Sequence, residues 1–257
     1  MSNLPRIAHN KTVVITGASA GIGRAMAFEF ARRGYHLGLT ARRLDVLTAL
    51  REEILATCGD STRTIAISAL DVDQTETVEP VLQALFARLG GIDIMVVNAG
   101  VNAMTSVGKG DILKQKQLIM TNVIGAMASV DAAAAHFIAR GAGQIVGISS
   151  LAAVKGIPKQ AAYCASKAGF SMYLEAARIE LKRKNISVTT IMPGFVITDI
   201  MPHIEKYPFA VSAQQAARET VTLIENKKAV GIVPGYPWRL LRPFMRLIPD
   251  SLWRKLV

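Results

Sequence analysis

Tyr163 and Lys167 stand four residues apart in Tyr163-Cys164-Ala165-Ser166-Lys167, at the start of a stretch with helical periodicity. On a helix they share one face, so the ammonium can approach the phenol. A nearby cation favours phenolate, which predicts a tyrosine pKa lowered toward the range where it exchanges a proton with a substrate oxygen near neutrality. Ser149-Ser150 ends the preceding apolar strand, and the Ser150 hydroxyl can hydrogen-bond that same oxygen. Tyr-x-x-x-Lys also arises by chance, as a half-buried tyrosine beside a solvated lysine, so its meaning depends on what else the chain carries.

Near the amino terminus, Thr16-Gly17-Ala18-Ser19-Ala20-Gly21-Ile22-Gly23-Arg24 follows a short apolar strand and runs directly into a helix. Its glycines let the backbone turn tightly and approach a pyrophosphate, while the helix start supplies free N–H groups and positive dipole. In that strand-to-helix context the Gly-x-x-x-Gly-x-Gly spacing predicts dinucleotide binding. The second strand ends Leu39-Thr40-Ala41-Arg42-Arg43. An NAD site usually places an acid at that strand end for the ribose hydroxyls, whereas an arginine holds the 2′-phosphate of NADP. Ala41 occupies the acidic position, Arg42 follows it, and Asp45 lies too far along to replace the acid. The lesser alternative is that Arg42 and Arg43 do no more than solvate a helix start. Two further strand ends, Leu70-Asp71-Val72 and Asn98-Ala99-Gly100, suit either a nucleotide border or ordinary turns.

Positioning these groups requires a scaffold, and the chain alternates short β-branched runs with longer helical stretches. The runs lie at 12–16, 36–40, 64–68, 92–97, 144–148, 187–192 and 229–233; helical periodicity covers 22–33, 44–57, 75–89, 115–139, 162–184 and 212–226. Strands apolar on both faces, such as 92–97, predict an α/β fold: a doubly wound, seven-stranded parallel sheet, Rossmann-like, with helices on both faces. In such sheets ligands bind beyond the carboxyl ends of the strands, where the strand order reverses.

Composition limits the function classes. With 257 residues, 51% of them hydrophobic and 19% charged, the chain can bury a large core as one domain over 1–257, which excludes disorder. Cys58 and Cys164 have neither metal-ligand spacing nor the density of a disulfide scaffold, and predict a reducing, cytoplasmic setting. Residues 1–10 lack the apolar core of a signal peptide, and no uninterrupted apolar run reaches membrane-spanning length. A net charge of +11 suits nucleic acid, an anionic membrane surface or phosphate-bearing small molecules. The basic residues are dispersed and no nucleic-acid module is recognised, so no nucleic-acid partner is expected. His203 has no second metal-type residue beside it, and no metal is assigned.

Taken together these residues resemble the short-chain dehydrogenase/reductase family in its compact, NADP-preferring form. The matching elements run from 12 to about 233: Thr16 to Gly23 for the glycine turn, Asn98-Ala99-Gly100, Asn122 for the helix asparagine, Ser150, Tyr163 and Lys167, then Pro193-Gly194 and Thr198. The resemblance implies a hydride exchanged between nicotinamide and a carbonyl or secondary alcohol. Tyr163 would handle the proton on oxygen, Ser150 would polarise the carbonyl, and Lys167 would lower the Tyr163 pKa and hold the nicotinamide ribose. Asn122 would support a water-linked relay to Lys167. For the cofactor it implies contacts from Gly17, Ser19, Ala20, Gly21, Ile22, Gly23, Arg42, Arg43, Asp71, Val72, Asn98, Ala99, Gly100, Tyr163, Lys167, Pro193, Gly194, Val196 and Thr198. Cys164 falls at a variable position of the motif and reads as a small buried thiol.

The resemblance places a substrate lid near 199–215, where Ile200, Met201, Tyr207 and Phe209 predict an apolar pocket. In the tail, 237–257, Arg239, Arg242 and Arg246 fall on one helical face and Leu241, Phe244 and Ile248 on the other, with Trp238 and Trp253 near the ends. Such a segment can lie in a membrane interface, here the inner face, or pack against the core or a partner subunit. Pro243 and Pro249 predict two short helical pieces. The leading expectation is an NADP(H)-dependent carbonyl reductase or alcohol dehydrogenase for an apolar substrate, lipid-derived ones included. Alternatives are reduction of 3-oxoacyl thioesters on acyl carrier protein, or a cofactor-binding interaction protein without turnover. The family implies a homodimer or homotetramer.

Overall fold

The computed structural model describes residues 11–58, 63–198 and 207–256. Its strands are β1 (Thr12–Thr16), β2 (His36–Ala41), β3 (Ile65–Ala69), β4 (Ile94–Val97), β5 (Gly143–Ile148), β6 (Ile186–Pro193), β7 (Val196–Ile197), β8 (Val211–Ser212) and β9 (Val230–Val233). Its helices are α1 (Gly21–Arg32), α2 (Leu44–Cys58), α3 (Thr75–Arg88), α4 (Ile112–Ile119), α5 (Ala126–Arg140), α6 (Ala161–Leu181), α7 (Ala213–Glu225), α8 (Trp238–Met245) and α9 (Asp250–Leu256). Seven strands form one parallel sheet in the order β3-β2-β1-β4-β5-β6-β9, the doubly wound architecture the alternation predicts.

The order reverses at β1, whose Val13 pairs with Leu37 of β2 on one side and Ile94 of β4 on the other. Alternate side chains of β1 serve opposite cores. Val13 and Ile15 pack with Met26, Phe30 and Leu47 on one face, and Val14 packs with Phe86, Met95 and Phe137 on the other. That is why the strands read as apolar throughout. Across the first face, Arg33 at the end of α1 clamps α7. Its Nε donates to Glu29 Oε1 (2.8 Å), its Nη1 to Glu225 Oε2 (2.6 Å), and its Nη2 to the Arg218 carbonyl (3.2 Å) and Thr222 Oγ1 (3.1 Å). Both carboxylates are paired with Arg33, and Arg32 also reaches Glu29 at 3.8 Å, so no charge in this group is left without a partner.

Three features depart from expectation. The helix predicted over 115–139 begins at Ile112 and passes through a wide turn, Met120–Gly125, with i→i+5 bonding before α5. Together 112–140 is long and apolar enough to cross a membrane, although the sequence offers no uninterrupted apolar run of that length. Half of its apolar window is buried within the protein, where Val130, Ala133 and Phe137 join the second core, as a core helix. Pro243 lies inside α8 rather than ending it. The two-piece tail itself stands, as α8 and α9. The pair β7–β8 was not foreshadowed by alternation, being only two residues per strand. Of the expected lid, residues 199–206, including Ile200, Met201 and His203, lie outside the described residues.

Candidate active site

A cleft of about 920 Å3 opens beyond the carboxyl ends of β1, β2, β4, β5 and β6. At its base the β1–α1 turn uses Gly17 at φ +65° and Gly21 at φ +55°. A Cβ on Gly17 would stand 2.7 Å from the Ala99 Cα, and one on Gly23 only 2.4 Å from the Gly17 carbonyl oxygen. Glycine at these positions is what lets the turn lie against the end of β4. Thr16 completes the seam: its Oγ1 accepts from the Asn98 N–H (3.0 Å) and the Ala99 N–H (3.1 Å). Asn98 Nδ2 donates to the carbonyls of Thr16 (3.0 Å) and Gly17 (3.1 Å). The Asn98 side chain therefore shapes the turn from within the protein, and the residue also lines the cleft. Thr16, a strand-end hydroxyl before the first glycine, was legible only as part of the motif.

Ala20 caps α1 with no side-chain hydrogen bond, and the first turn carries no acid, so the leading N–H groups and the positive helix end remain available. Ser19, Ala20, Ile22 and Gly23 line the cleft there. At the β2 end, Ala41 is buried while Arg42 and Arg43 are exposed on the cleft wall. Neither arginine has an ion-pair partner among the described residues. Thr40 Oγ1 and Asp73 Oδ1, both in the wall, are buried without a hydrogen-bond partner. Asp71 and Val72 line it too, with Asp71 Oδ1 accepting from the Asp73 N–H at 3.2 Å. An open helix start, unpaired arginines and orphaned polar atoms in one wall fit a phosphate-bearing dinucleotide.

Ser150, Tyr163 and Lys167 meet farther along the cleft. Ser150 opens a short turn, Leu151–Ala153, where its Oγ accepts from the Ala152 N–H (3.1 Å) and donates to the Pro193 carbonyl (3.5 Å). Lys167, one turn beyond Tyr163 on α6, is 6% exposed and donates to the Ile148 carbonyl at 3.0 Å. Its Nζ lies over the Tyr163 ring, 5.9 Å from the ring centre. Burial pulls the Lys167 pKa down to about 8. The Tyr163 phenol moves the opposite way from expectation. Its own burial raises it, the Ser150 hydrogen bond lowers it in part, and Cys164 adds a further upward push. Loss of water around the phenolate outweighs what the neighbours return.

Asn122 sits in the wide turn, 1% exposed. Its Oδ1 accepts from the Val101 N–H (2.8 Å), and its Nδ2 donates to the Val101 carbonyl (2.9 Å) and Ser166 Oγ (3.0 Å). Ser166 in turn donates to the Tyr163 carbonyl at 2.7 Å. The amide is thus engaged directly with Val101 and Ser166, and joins the end of β4 to the stretch of α6 between Tyr163 and Lys167. Gly100 leaves the room: a Cβ there would be 3.1 Å from Asn122 Oδ1 and 3.4 Å from Lys167 Nζ.

Pro193, Gly194, Val196 and Thr198 line the cleft after β6, and the tail closes its far end. Trp238, Leu241, Phe244, Met245, Ile248 and Trp253 all face it, a contribution the amphipathic pattern hinted at but could not direct. Trp238 packs edge-on to Phe195 (5.8 Å) and Phe209 (6.0 Å). Three contacts pin the tail to the segment after Ser150. Trp253 Nε1 donates to the Gly156 carbonyl (2.7 Å), Arg246 Nε to the Val154 carbonyl (3.1 Å), and Lys155 pairs with Asp250 (2.9 Å). Of the open alternatives for the tail, one face packs on the core.

Comparison with known proteins agrees with this geometry. The family model for short chain dehydrogenase matches residues 11–207. An uncharacterized oxidoreductase of Mycobacterium tuberculosis is 36% identical over 244 residues, 95% of this chain and 96% of its own length. An alcohol dehydrogenase of the archaeon Thermococcus sibiricus, solved with 5-hydroxy-NADP, superposes with a TM-score of 0.77 at 26% identity, covering 88% of this chain and 95% of its own. A short chain dehydrogenase/reductase of Burkholderia phymatum, solved with NAD, covers 98% of each chain with a TM-score of 0.83; at 20% identity it shares the fold. A doubly wound sheet, a glycine turn at its switch point and Ser150, Tyr163 and Lys167 in one cleft make this chain an oxidoreductase of the short-chain dehydrogenase/reductase family.

Proposed function

We propose that the protein is an NADP(H)-dependent carbonyl reductase or alcohol dehydrogenase for an apolar substrate, lipid-derived carbonyls included. One observation carries the reading: a single cleft runs from Arg42 and Arg43 at the β2 end, past Ser150, Tyr163 and Lys167, to an apolar end made by the tail. When bound, the nicotinamide supplies or accepts the hydride at the substrate carbon. The Tyr163 phenol gives the proton to the carbonyl oxygen in reduction and takes it back in oxidation. The Ser150 hydroxyl hydrogen-bonds that oxygen and orients it.

Lys167 has donors left beyond its bond to Ile148 and would hold the ribose hydroxyls. The Gly17–Gly23 turn would hold the pyrophosphate, Arg42 with Arg43 the 2′-phosphate, Asp71 and Val72 the adenine, and Thr198 with the backbone beside Pro193-Gly194 the carboxamide. Asn122 is a positioning residue, acting on Lys167 and Tyr163 through Ser166. Two free thiols, Cys58 and Cys164, suit the cytoplasm. Exposed Met172 and Ile179 on α6 suit a homodimer or homotetramer, and the tail suits peripheral contact with the inner face of a membrane.

Titration with NADPH and NADH, followed by a screen of aliphatic and aromatic ketones, tests the reading. Strong NADPH preference with turnover of apolar ketones supports it. An NADH preference overturns the cofactor assignment, and selective turnover of an acetoacetyl thioester moves the substrate to 3-oxoacyl chains.

A further inference from the structure

Ten of the nineteen large apolar side chains exposed among the described residues fall on two stretches, 104–113 and 236–252. On the first stand Met104, Val107, Ile112 and Leu113, from 63% to 84% exposed; on the second Tyr236, Leu240, Phe244 and Leu247, from 61% to 77%. Both stretches border the substrate end of the cleft. Asn102 and Phe244 line it, and the two stretches grip one intervening segment: the Thr105 N–H donates to the Lys159 carbonyl (2.8 Å) and Trp253 Nε1 to the Gly156 carbonyl (2.7 Å). An exposed apolar rim of this kind marks an interaction surface.

Its charge selects the occupant. Lys109, Lys114, Lys116, Arg239, Arg242, Arg246 and Arg254 lie on or beside the rim, against Asp111 and Asp250. Both acids are already engaged, Asp111 by Lys114 and the Ser106 N–H and Asp250 by Lys155. Two copies meeting through this rim would oppose like charges. An anionic bilayer would instead meet apolar side chains at its acyl boundary and cations at its headgroups.

We propose that the protein docks on an anionic phospholipid bilayer through this rim, with the mouth of the cleft turned toward the lipid, so that its substrate enters from the membrane. The substrate route rests on the apolar-carbonyl reading of the cleft; the docking does not. Tail residues Trp238, Met245 and Trp253 line the cleft, while Leu240 and Leu247 do not, so the tail presents one face to substrate and another to lipid.

The test is co-flotation of the full chain with vesicles of phosphatidylglycerol and phosphatidylcholine, compared with phosphatidylcholine alone. The partition coefficient is expected to be at least about tenfold higher on the anionic vesicles, and to fall with added salt. The double variant Leu240→Glu/Leu247→Glu is expected to abolish flotation while keeping wild-type NADPH affinity and circular dichroism. No flotation of the wild type, or equal flotation on both vesicles, overturns the proposal. Dimerisation abolished by the same double variant, with no vesicle binding, overturns it in favour of a second copy. Anionic flotation without turnover of any apolar ketone retains the docking and refutes the substrate reading alone.

Discussion

Lys167 Nζ lies 5.9 Å from the centre of the Tyr163 ring, with the Ile148 carbonyl as its acceptor and no carboxylate in ion-pair range among the described residues. Its pKa is pulled from 10.5 to about 8, so the folded protein resists carrying this proton more than the unfolded chain does. Below pH 8 the charge is present in both states and folding bears its desolvation, on the order of 3 kcal/mol. As pH rises from about 8 toward 10.5 the unfolded chain still holds the proton while the folded protein has released it, so this penalty shrinks and stability rises. Lys167→Met is therefore expected to abolish turnover yet raise the melting temperature at pH 7 by several degrees, with the gain shrinking by pH 10. Thermal melts of both proteins at the two pH values check this.

Arg42 and Arg43 line the cleft with no ion-pair partner among the described residues. Arg42→Ala is expected to weaken NADPH binding about 10- to 100-fold and leave NADH binding within about twofold, the loss of one charge-assisted phosphate contact. Fluorescence titration of both cofactors measures the ratio.

Gly23→Ala would place its Cβ 2.4 Å from the Gly17 carbonyl oxygen and 2.5 Å from Asn98 Nδ2. Because one neighbour is backbone, the turn must open. A stability loss of about 1–3 kcal/mol is expected, with cofactor affinity lost beyond what stability accounts for. Denaturant melts beside NADPH titration separate the two effects.

Asn122→Ala would strip partners from both the Val101 N–H and its carbonyl. The expected destabilisation is about 2–3 kcal/mol. Asn122→Asp would keep the acceptor for the Val101 N–H but lose both Nδ2 donations, and should recover only part of that loss in the same melts.

Trp253→Phe keeps the ring against the cleft and removes the bond to the Gly156 carbonyl. Loosening the apolar end should raise KM for an apolar ketone about three- to tenfold with kcat little changed, as expected for a lost hydrogen bond distant from the reacting oxygen. Steady-state kinetics give the split.

Much of this could be read from residue order because the decisive signals are local. Gly17, Gly21 and Gly23 sit in one turn between a strand and a helix, and Tyr163 and Lys167 share one helical face, so neither depends on distant packing to be recognised. What escaped is tertiary. The wide turn that carries Asn122 has no periodicity of its own, and the partners of its amide, Val101 and Ser166, are 21 and 44 residues away. The direction of the Tyr163 shift depends on burial, which no spacing reveals. The tail showed an apolar and a basic face, but whether Trp238 and Met245 face lipid or cleft is decided by contacts with Leu151 and Met192.

The Arg33 clamp bears on the lifetime of the folded state. It joins residues up to 192 apart, so the chain must close a very long loop before any of it can form. Contacts made that late weigh on the rate of unfolding far more than on the rate of folding. The α1–α7 seam is therefore expected to act as a kinetic latch, governing how long the native protein persists more than how fast it arrives.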